Sequence, residues 1–566
     1  MQNVEIAKYL GEIADMMELI GENFFHVRAY RNASRAVLDY PGNFSKLTLK
    51  QMEGVPDIGK SLSAKIDTLV KSGELTIHQE LRKKVPPGLM DVMKLPALGP
   101  KRVKQLHEEI GVASLADLKN ALESGAVRTI RGFGPKMEET IRAALERRPE
   151  IISKRWLYAD AAIEVERLLK YLRPCPAVDR IEAAGSFRRK RDTVGDIDLL
   201  AISSDPAQVM RRLTEYPNVA QVVGSGDTKT TVMLNDGLQV DLRVLPEESY
   251  GAALIYFTGS KDHCVHVRRI AQRMELSLNE YGLLRGSDSI AGKTEEEVYR
   301  ALGLEWIAPE LREDRGEIKA AMDHHLPRLI TREDLRGDLH SHSTYTDGRA
   351  SIEEMARAAE AAGLEYFAVT DHSQRLAMVN GLTPERLREQ WREIDAVQSR
   401  VKVKLLRGIE VDILEDGALD LPDEVLAELD WVVASVHSKL QQPHAEMTRR
   451  IVTAIRNPNV DAIGHPTGRL LIDKRAPSSF DFNEVTRAAA SEGCALEINS
   501  QVNRLDLIDT NCIAAKNAGA KLVISSDSHS PKGFGLLQFG VNQARRGWIE
   551  ADDVLNTRPL SELRQR

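Results

Sequence analysis

Asp196 and Asp198 stand two apart in Gly195-Asp196-Ile197-Asp198-Leu199-Leu200, and Asp241 follows within Gln239-Val240-Asp241-Leu242-Arg243-Val244. In an apolar strand, residues two apart project from the same face, so Asp196 and Asp198 share one side and Asp241 is expected on a neighbouring strand. Hard oxygen ligands without histidine favour Mg²⁺ or Mn²⁺ and phosphoryl transfer. Three such carboxylates suffice for two cations, one activating an attacking hydroxyl and one neutralising a triphosphate and its leaving group. A second set is rich in imidazole: His340, His342, Asp347, His372, Glu410, His437, His465, Asp527 and His529. Mixed His/carboxylate sets suit Zn²⁺ or Mn²⁺ hydrolytic centres. Two chemistries on one chain imply two reactions on one substrate.

The elements that carry these residues differ in kind. Around the aspartates, Gly185-Ser186-Phe187-Arg188-Arg189 reads as a turn that directs N–H and hydroxyl groups at phosphate, with Arg189 as a charged fork. The imidazole set follows a strand-then-helix rhythm, each ligand closing an apolar run, as in Phe367-Ala368-Val369-Thr370-Asp371-His372 and Val432-Val433-Ala434-Ser435-Val436-His437. Polar groups at the C-terminal ends of successive parallel strands are how an α/β barrel builds its active site. Glu497 sits at a similar strand end; it is assigned no metal and is expected to buffer backbone or ligands behind the cluster.

The N-terminal third reads as helical, with Ile6, Leu10, Ile13, Met17 and Ile20 at helical spacing. Three variants of one turn recur there: Gly54-Val55-Pro56-Asp57-Ile58-Gly59-Lys60, Leu95-Pro96-Ala97-Leu98-Gly99-Pro100-Lys101 and Ile130-Arg131-Gly132-Phe133-Gly134-Pro135-Lys136. Each sets an apolar residue, a glycine and a lysine before a helix whose free N–H groups suit an anion. One copy would be an ordinary helix turn; three with lysine one or two residues after the glycine spell helix-hairpin-helix clamps for a DNA backbone. Residues 1–149 carry 23 Lys+Arg against 19 Asp+Glu, a net of +4, although the whole chain is at −7.

With 566 residues, 42% apolar and 28% charged, the chain has room for several ordinary globular domains. It shows no signal peptide and no membrane span, and its four scattered cysteines form no CxxC pair, so a reducing cytoplasm is expected.

Taken together, residues 1–320 resemble a family X DNA polymerase, the gap-filling repair enzymes related to the vertebrate beta polymerase. Tyr256-Phe257-Thr258-Gly259-Ser260 matches that family's motif beside the incoming sugar. The resemblance implies that Gly185, Ser186, Arg189, Gly195, Tyr256, Phe257 and Gly259 bind the nucleotide, that Arg243 lies beside the carboxylates, and that Arg268 and Asn279-Glu280-Tyr281 lie near the template. It implies DNA contacts at Gly54, Gly59, Lys60, Gly99, Lys101, Gly134 and Lys136. Cys264 falls where animal members have an asparagine, with His263 and His266 close by. Lys65 matches a Schiff-base lysine for 5′-deoxyribose phosphate removal, with Tyr30 also matching and His26 at a usually basic position; a helix-face lysine equally reads as a solvated charge.

The C-terminal set resembles the PHP (polymerase and histidinol phosphatase) domain. By that resemblance His340, His342, Glu410 and Asp527 would hold one metal, Glu410, His437 and His465 a second, and Asp347, His372 and His529 a third. A chain joining both parts resembles the bacterial family X polymerases. The domain organisation expected is a helical, lyase-like 1–85, a helical 86–150, a nucleotidyltransferase palm 151–250, a thumb 251–315, a linker 316–335 and a distorted TIM-like PHP barrel 336–566. The implied function is gap filling on primer–template DNA with deoxynucleoside triphosphates, plus metal-dependent 3′→5′ trimming. Mg²⁺ or Mn²⁺ is expected at the palm, two to three Mn²⁺ or Zn²⁺ at the barrel, and a monomer in solution. The alternatives are a barrel that is only a metal-bound scaffold, and a chain that chiefly binds DNA ends.

Overall fold

A computed structural model describes residues 1, 3–38, 40, 44–93, 95, 98–146, 155–472 and 475–563, and the chain divides into two compact units, Met1–Lys154 and Arg155–Arg566. The first unit is helical. Ile6, Leu10, Ile13 and Met17, all on one face of the helix Asn3–Leu19, enter a single apolar core. Each of the three repeated turns contributes the apolar residue before its helix-starting glycine: Ile58, Leu98 and Phe133 are all buried in that core. The turns therefore open onto the helices Lys60–Ser72, Pro100–Ile110 and Pro135–Glu146 from a common anchoring scheme.

The second unit begins with a five-stranded sheet of β1 (Arg180–Ala183), β2 (Asp196–Ile202), β3 (Val219–Ser225), β4 (Lys229–Leu234) and β5 (Gln239–Leu245), in the order β1-β2-β5-β4-β3. β2 and β5 run parallel with Asp198 directly opposite Asp241. Alternation decides the faces: Ile197, Leu199 and Val240 are buried, whereas Asp196, Asp198 and Asp241 lie half-buried on the other side. Helices Tyr250–Thr258 and Lys261–Arg273 and a three-stranded meander over 277–291 then form the thumb. Thumb and barrel are not joined by a free linker. Ile318 and Ala321, inside the segment 316–335, are buried in the thumb core, and Ile330 enters the barrel core.

Seven parallel strands follow in sequential order: β6 (Gly337–Asp338), β7 (Tyr366–Val369), β8 (Lys404–Asp412), β9 (Trp431–Ser435), β10 (Ala462–Ile463), β11 (Ala495–Asn499) and β12 (Leu522–Ser525). Just beyond the strand ends, Ser341 bridges Ser528 and the His342 N–H donates to the Ser528 carbonyl at 2.8 Å, so the sheet closes almost into a barrel. Its strands are buried on both faces, as a parallel sheet wrapped by helices requires. No helix among the described residues is long and apolar enough to cross a membrane.

Candidate metal centres and DNA-binding elements

On the palm, β5 presents Asp241 between two partners from β4: Lys229 Nζ donates to it at 2.8 Å and Thr231 Oγ1 at 2.6 Å. Asp198 has no comparable ion pair among the described residues. Burial, followed by the charges of Asp196 and Asp241, pushes its carboxyl up to about 7. Burial and then Asp241 also raise Asp196. Three converging carboxylates with one lysine among them leave an excess of negative charge, which divalent cations would relieve. Gly185 begins the short helix Gly185–Arg188 with φ +62, and an added Cβ there would overlap Asp198 Oδ2. Only glycine lets that turn approach the carboxylate so closely. Ser186 is half-buried in the same turn, and Gly195 precedes Asp196 directly.

Arg189 is placed differently from its expected role on triphosphate. Its guanidinium donates to Glu313 at 3.1 Å and to the Thr258 carbonyl, so both of its visible engagements tie palm to thumb. Arg188 is likewise spent on Glu295, at 2.7 and 2.9 Å. Tyr256 is exposed with Arg268 4.9 Å above its ring, and Arg243 lies 4.5 Å over Phe257. Gly259, at φ +70, ends the helix that carries these aromatics. The Cys264 thiol points inward to the Ile255 carbonyl at 3.3 Å, and His263 is buried between Glu317 and Tyr299.

At the barrel mouth, the nine expected residues converge. Three groups bring ligand atoms within 4.8 Å of one another: His342, Asp347, His372 and His529; His340, His342 and Asp527; and His372, Glu410 and His437. His372 thus joins Glu410 as well as Asp347, and His342 faces two groups, a sharing the sequence did not suggest. His465 falls outside these groups, yet its Nε2 lies 3.0 Å from Glu410 Oε1. Glu410 is the hub, with His372 Nδ1 at 2.8 Å, His437 Nε2 at 3.2 Å and His340 Nε2 at 3.4 Å.

The residues fit metals. The buried His340 Nε2 and His372 Nδ1 lie beside carboxylate oxygens without hydrogen-bond geometry, as lone pairs aimed at a shared cation would. Burial, then the neighbouring His372 and His529, drives His342 down to about 3, keeping it a neutral ligand. Glu497, expected behind the cluster, contacts His340 Nδ1 at 2.7 Å and accepts from the His465 backbone N–H at 2.6 Å. Asp412 stands 3.3 Å from His437 Nδ1. Both contacts leave Nε2 of the histidine turned toward Glu410. Sequence reasoning missed Asp412, although it lies two residues beyond Glu410 on one strand and so shares its face. His340, His342, Glu410 and Asp527 are buried, while Asp347, His437 and His529 are partly exposed and mark the open side.

In the helical unit, Gly59 and Gly99 are helix N-caps without a side-chain hydrogen bond. A Cβ at Gly59, Gly99 or Gly134 would meet nothing within 4 Å, so the protein's own packing does not demand glycine there. Gly54 closes the first helix of its turn, and Lys60 and Lys101 are exposed. The Lys136 side chain lies outside the described residues, as do Pro96 and Ala97. Lys65 Nζ donates to the Tyr30 hydroxyl at 2.8 Å.

A strand-paired carboxylate palm with a thumb, an imidazole-rich barrel mouth and tandem hairpin turns define a two-centre, metal-dependent phosphoryl-transfer protein of the DNA-binding class. Family profiles match in the same order: a helix-hairpin-helix domain over residues 1–75, a helix-hairpin-helix tandem over 89–147, the DNA polymerase beta thumb over 253–313 and a PHP domain over 338–501. The chain is 38% identical over 571 residues to the DNA polymerase/3′-5′ exonuclease PolX of Bacillus subtilis, covering 100% of this chain and 99% of that protein. The chain therefore belongs to the bacterial PolX family. Its barrel alone is 32% identical over 233 residues to a probable phosphatase of Thermoanaerobacter sp. (39% of this chain, 89% of that one). It is 34% identical over 203 residues to another probable phosphatase, from Acetivibrio thermocellus (34% and 78%).

Proposed function

We propose that the chain is a repair DNA polymerase that extends a 3′ end at Asp196, Asp198 and Asp241 and trims 3′ ends at the barrel mouth. The observation that carries this reading is the presence of two separate donor sets of different chemistry within one unit, in a chain aligned end to end with PolX. The all-oxygen palm set favours Mg²⁺ or Mn²⁺, and the mixed barrel set favours two to three Mn²⁺ or Zn²⁺. When bound, such ions would lower the pKa of the attacking hydroxyl or water and offset charge on phosphate. The chain's own residues do the rest. Lys229 and Thr231 fix Asp241, and Glu497 and Asp412 fix the ring faces of His340 and His437; we assign Tyr256, Phe257 and Gly259, at the end of one helix, to the sugar of the incoming nucleotide.

DNA is held by its backbone through the glycine N-caps and Lys60, Lys101 and Lys136, and deoxynucleoside triphosphates are the second substrate. We assign the domain boundaries expected from the sequence, with 316–335 as packed structure rather than a free linker. We read the protein as a cytoplasmic monomer that meets DNA at the nucleoid; its four cysteines are buried and form no disulfide, as a reducing compartment permits. A barrel that is only a scaffold is disfavoured by a complete ligand set.

Primer extension and 3′ degradation on gapped DNA, compared in Mg²⁺, Mn²⁺ and Zn²⁺, test the assignment. Asp196→Ala with Asp198→Ala abolishes nucleotide addition and spares degradation; His340→Ala with His342→Ala does the reverse. Loss of both activities together in either double variant overturns it.

A further inference from the structure

The loops after β10 and β11 carry three arginines at the barrel mouth, and two are accounted for. Arg469 donates to the Leu505 carbonyl at 2.6 Å and to Asp192 at 3.2 Å, and Arg475 Nε donates to the Gly468 carbonyl at 2.6 Å. Arg504 is not. Its Nε and Nη1 are shielded from solvent, and neither has a hydrogen-bond partner among the described residues. The fully buried Arg312 makes four bonds, to both oxygens of Glu295 and twice to the Ile307 carbonyl, and Arg212, Arg315 and Arg469, whose Nε atoms are also unmet among the described residues, each engage a partner through another nitrogen. A buried donor left unmet is costly, and a charged one more so, unless a ligand completes it.

The obvious internal partner does not take it up. Asp506 Oδ2 accepts from the backbone N–H groups of Thr467 and Gly468, at 2.9 and 2.8 Å, while Asp506 Oδ1 is itself without a partner among the described residues. The turn that carries Arg504 is instead stitched to the ligand cluster. Gln501 Nε2 donates to the carbonyls of Ser526 and Asp527, and Asn499 Nδ2 donates to Asp527 Oδ2 at 3.0 Å. The backbone N–H groups of Arg504 and Leu505 both return to the Gln501 carbonyl at 2.9 Å.

We propose that Arg504 is an anion-gripping residue of the barrel site, whose unmet N–H donors engage a non-bridging oxygen of the phosphodiester being cut. This rests on the reading of the barrel as the 3′-trimming site. In that reaction a water oxygen bonds to phosphorus and the bond from phosphorus to the preceding nucleotide's 3′ oxygen breaks. The water proton goes to that oxygen, releasing a nucleoside 5′-monophosphate and a new 3′-hydroxyl. Arg504 takes no proton; it offsets charge that grows on the phosphoryl oxygens, which rewards a guanidinium over a point charge.

The test uses the full chain with Arg504→Ala, Arg504→Lys and Asp506→Asn. In Arg504→Ala, degradation of a single-stranded oligonucleotide falls roughly 100-fold in kcat/KM, the scale of losing one preorganised donor. Calorimetric binding of inorganic phosphate to the Mn²⁺-loaded protein weakens at least tenfold, while bound Mn²⁺ and primer extension stay within twofold. Added guanidinium restores part of the Arg504→Ala rate, and Arg504→Lys is intermediate. Unchanged degradation and phosphate binding in Arg504→Ala overturn the proposal. So does an equal loss in Asp506→Asn, or loss of Mn²⁺ along with activity, since either marks a purely structural arginine. If His340→Ala with His342→Ala still degrades DNA, the trimming assignment fails. Phosphate binding then decides Arg504 alone: weakened in Arg504→Ala it supports the grip, unchanged it refutes it.

Discussion

Arg469 in the barrel and Asp192 in the palm form an ion pair at 3.2 Å that spans the two catalytic regions. Asp192 lies four residues before Asp196, and the other amino group of Arg469 holds the Leu505 carbonyl beside Arg504. One guanidinium thus braces the approach to both ligand sets.

Replacing Arg469 should therefore be felt at both sites. Arg469→Ala is expected to slow nucleotide addition and 3′ degradation together, each by about three- to tenfold, the scale of a lost charge-assisted bond pair. Parallel primer-extension and degradation rates check this. A one-sided effect would show that the brace serves a single site.

Gly185→Ala should damage addition alone. A side chain at φ +62 costs about 1–3 kcal/mol, and its Cβ would also push against Asp198. Primer extension should fall at least tenfold with degradation intact; full extension would mean that the turn relaxes without moving the carboxylate.

Glu497→Gln should act through His340. The carboxylate at 2.7 Å from Nδ1 fixes the ring and strengthens it as a donor. Loss of the charge is expected to weaken metal retention by roughly 10- to 100-fold, read by chelator competition, with primer extension unchanged. Asp412→Asn should do the same through His437.

Acid should unfasten palm, thumb and barrel together. Burial opposes the charge of Glu313, but Arg546, Arg189 and Arg191 outweigh it and hold its carboxyl down to about 2. A depressed folded pKa adds stability above the ordinary glutamate range and loses it as pH falls toward 2, on the order of 3 kcal/mol in all. The melting temperature should drop between pH 5 and 3, and Glu313→Gln should melt lower at pH 7 with a flatter decline. A variant as stable as the parent at pH 7 would show that the pairs contribute nothing net.

The legible parts of this chain were those where chemistry follows strand periodicity. Asp196, Asp198 and Asp241 were readable because a two-residue repeat fixes a shared face, and the barrel ligands because each closes an apolar run. The repeated glycine–lysine turns were readable because the same short pattern recurs three times before a helix. Long-range pairing was not. Nothing near Arg189 in sequence announces Glu313, so an arginine expected on triphosphate proved to be tied to the thumb. Lys229 and Thr231 were invisible until β4 lay beside β5. Charged residues over 316–335 looked like a tether because Ile318 and Ala321 are too few to show a pattern, yet both are buried.

That packed stretch bears on how the chain can be divided. The Ile330 N–H donates to the Ile549 carbonyl, Arg545 reaches Glu310 at 2.8 Å, and Arg546 reaches both Glu313 and the Arg189 carbonyl. The barrel helix Leu537–Arg546 is therefore part of what keeps the thumb in place. A polymerase shortened at residue 336 would expose the thumb's apolar underside and strand Glu313 without its strongest counter-charge. Inheritance of the two activities as a single gene product then has a mechanical basis on the polymerase side: the thumb's surface is finished by residues of the barrel.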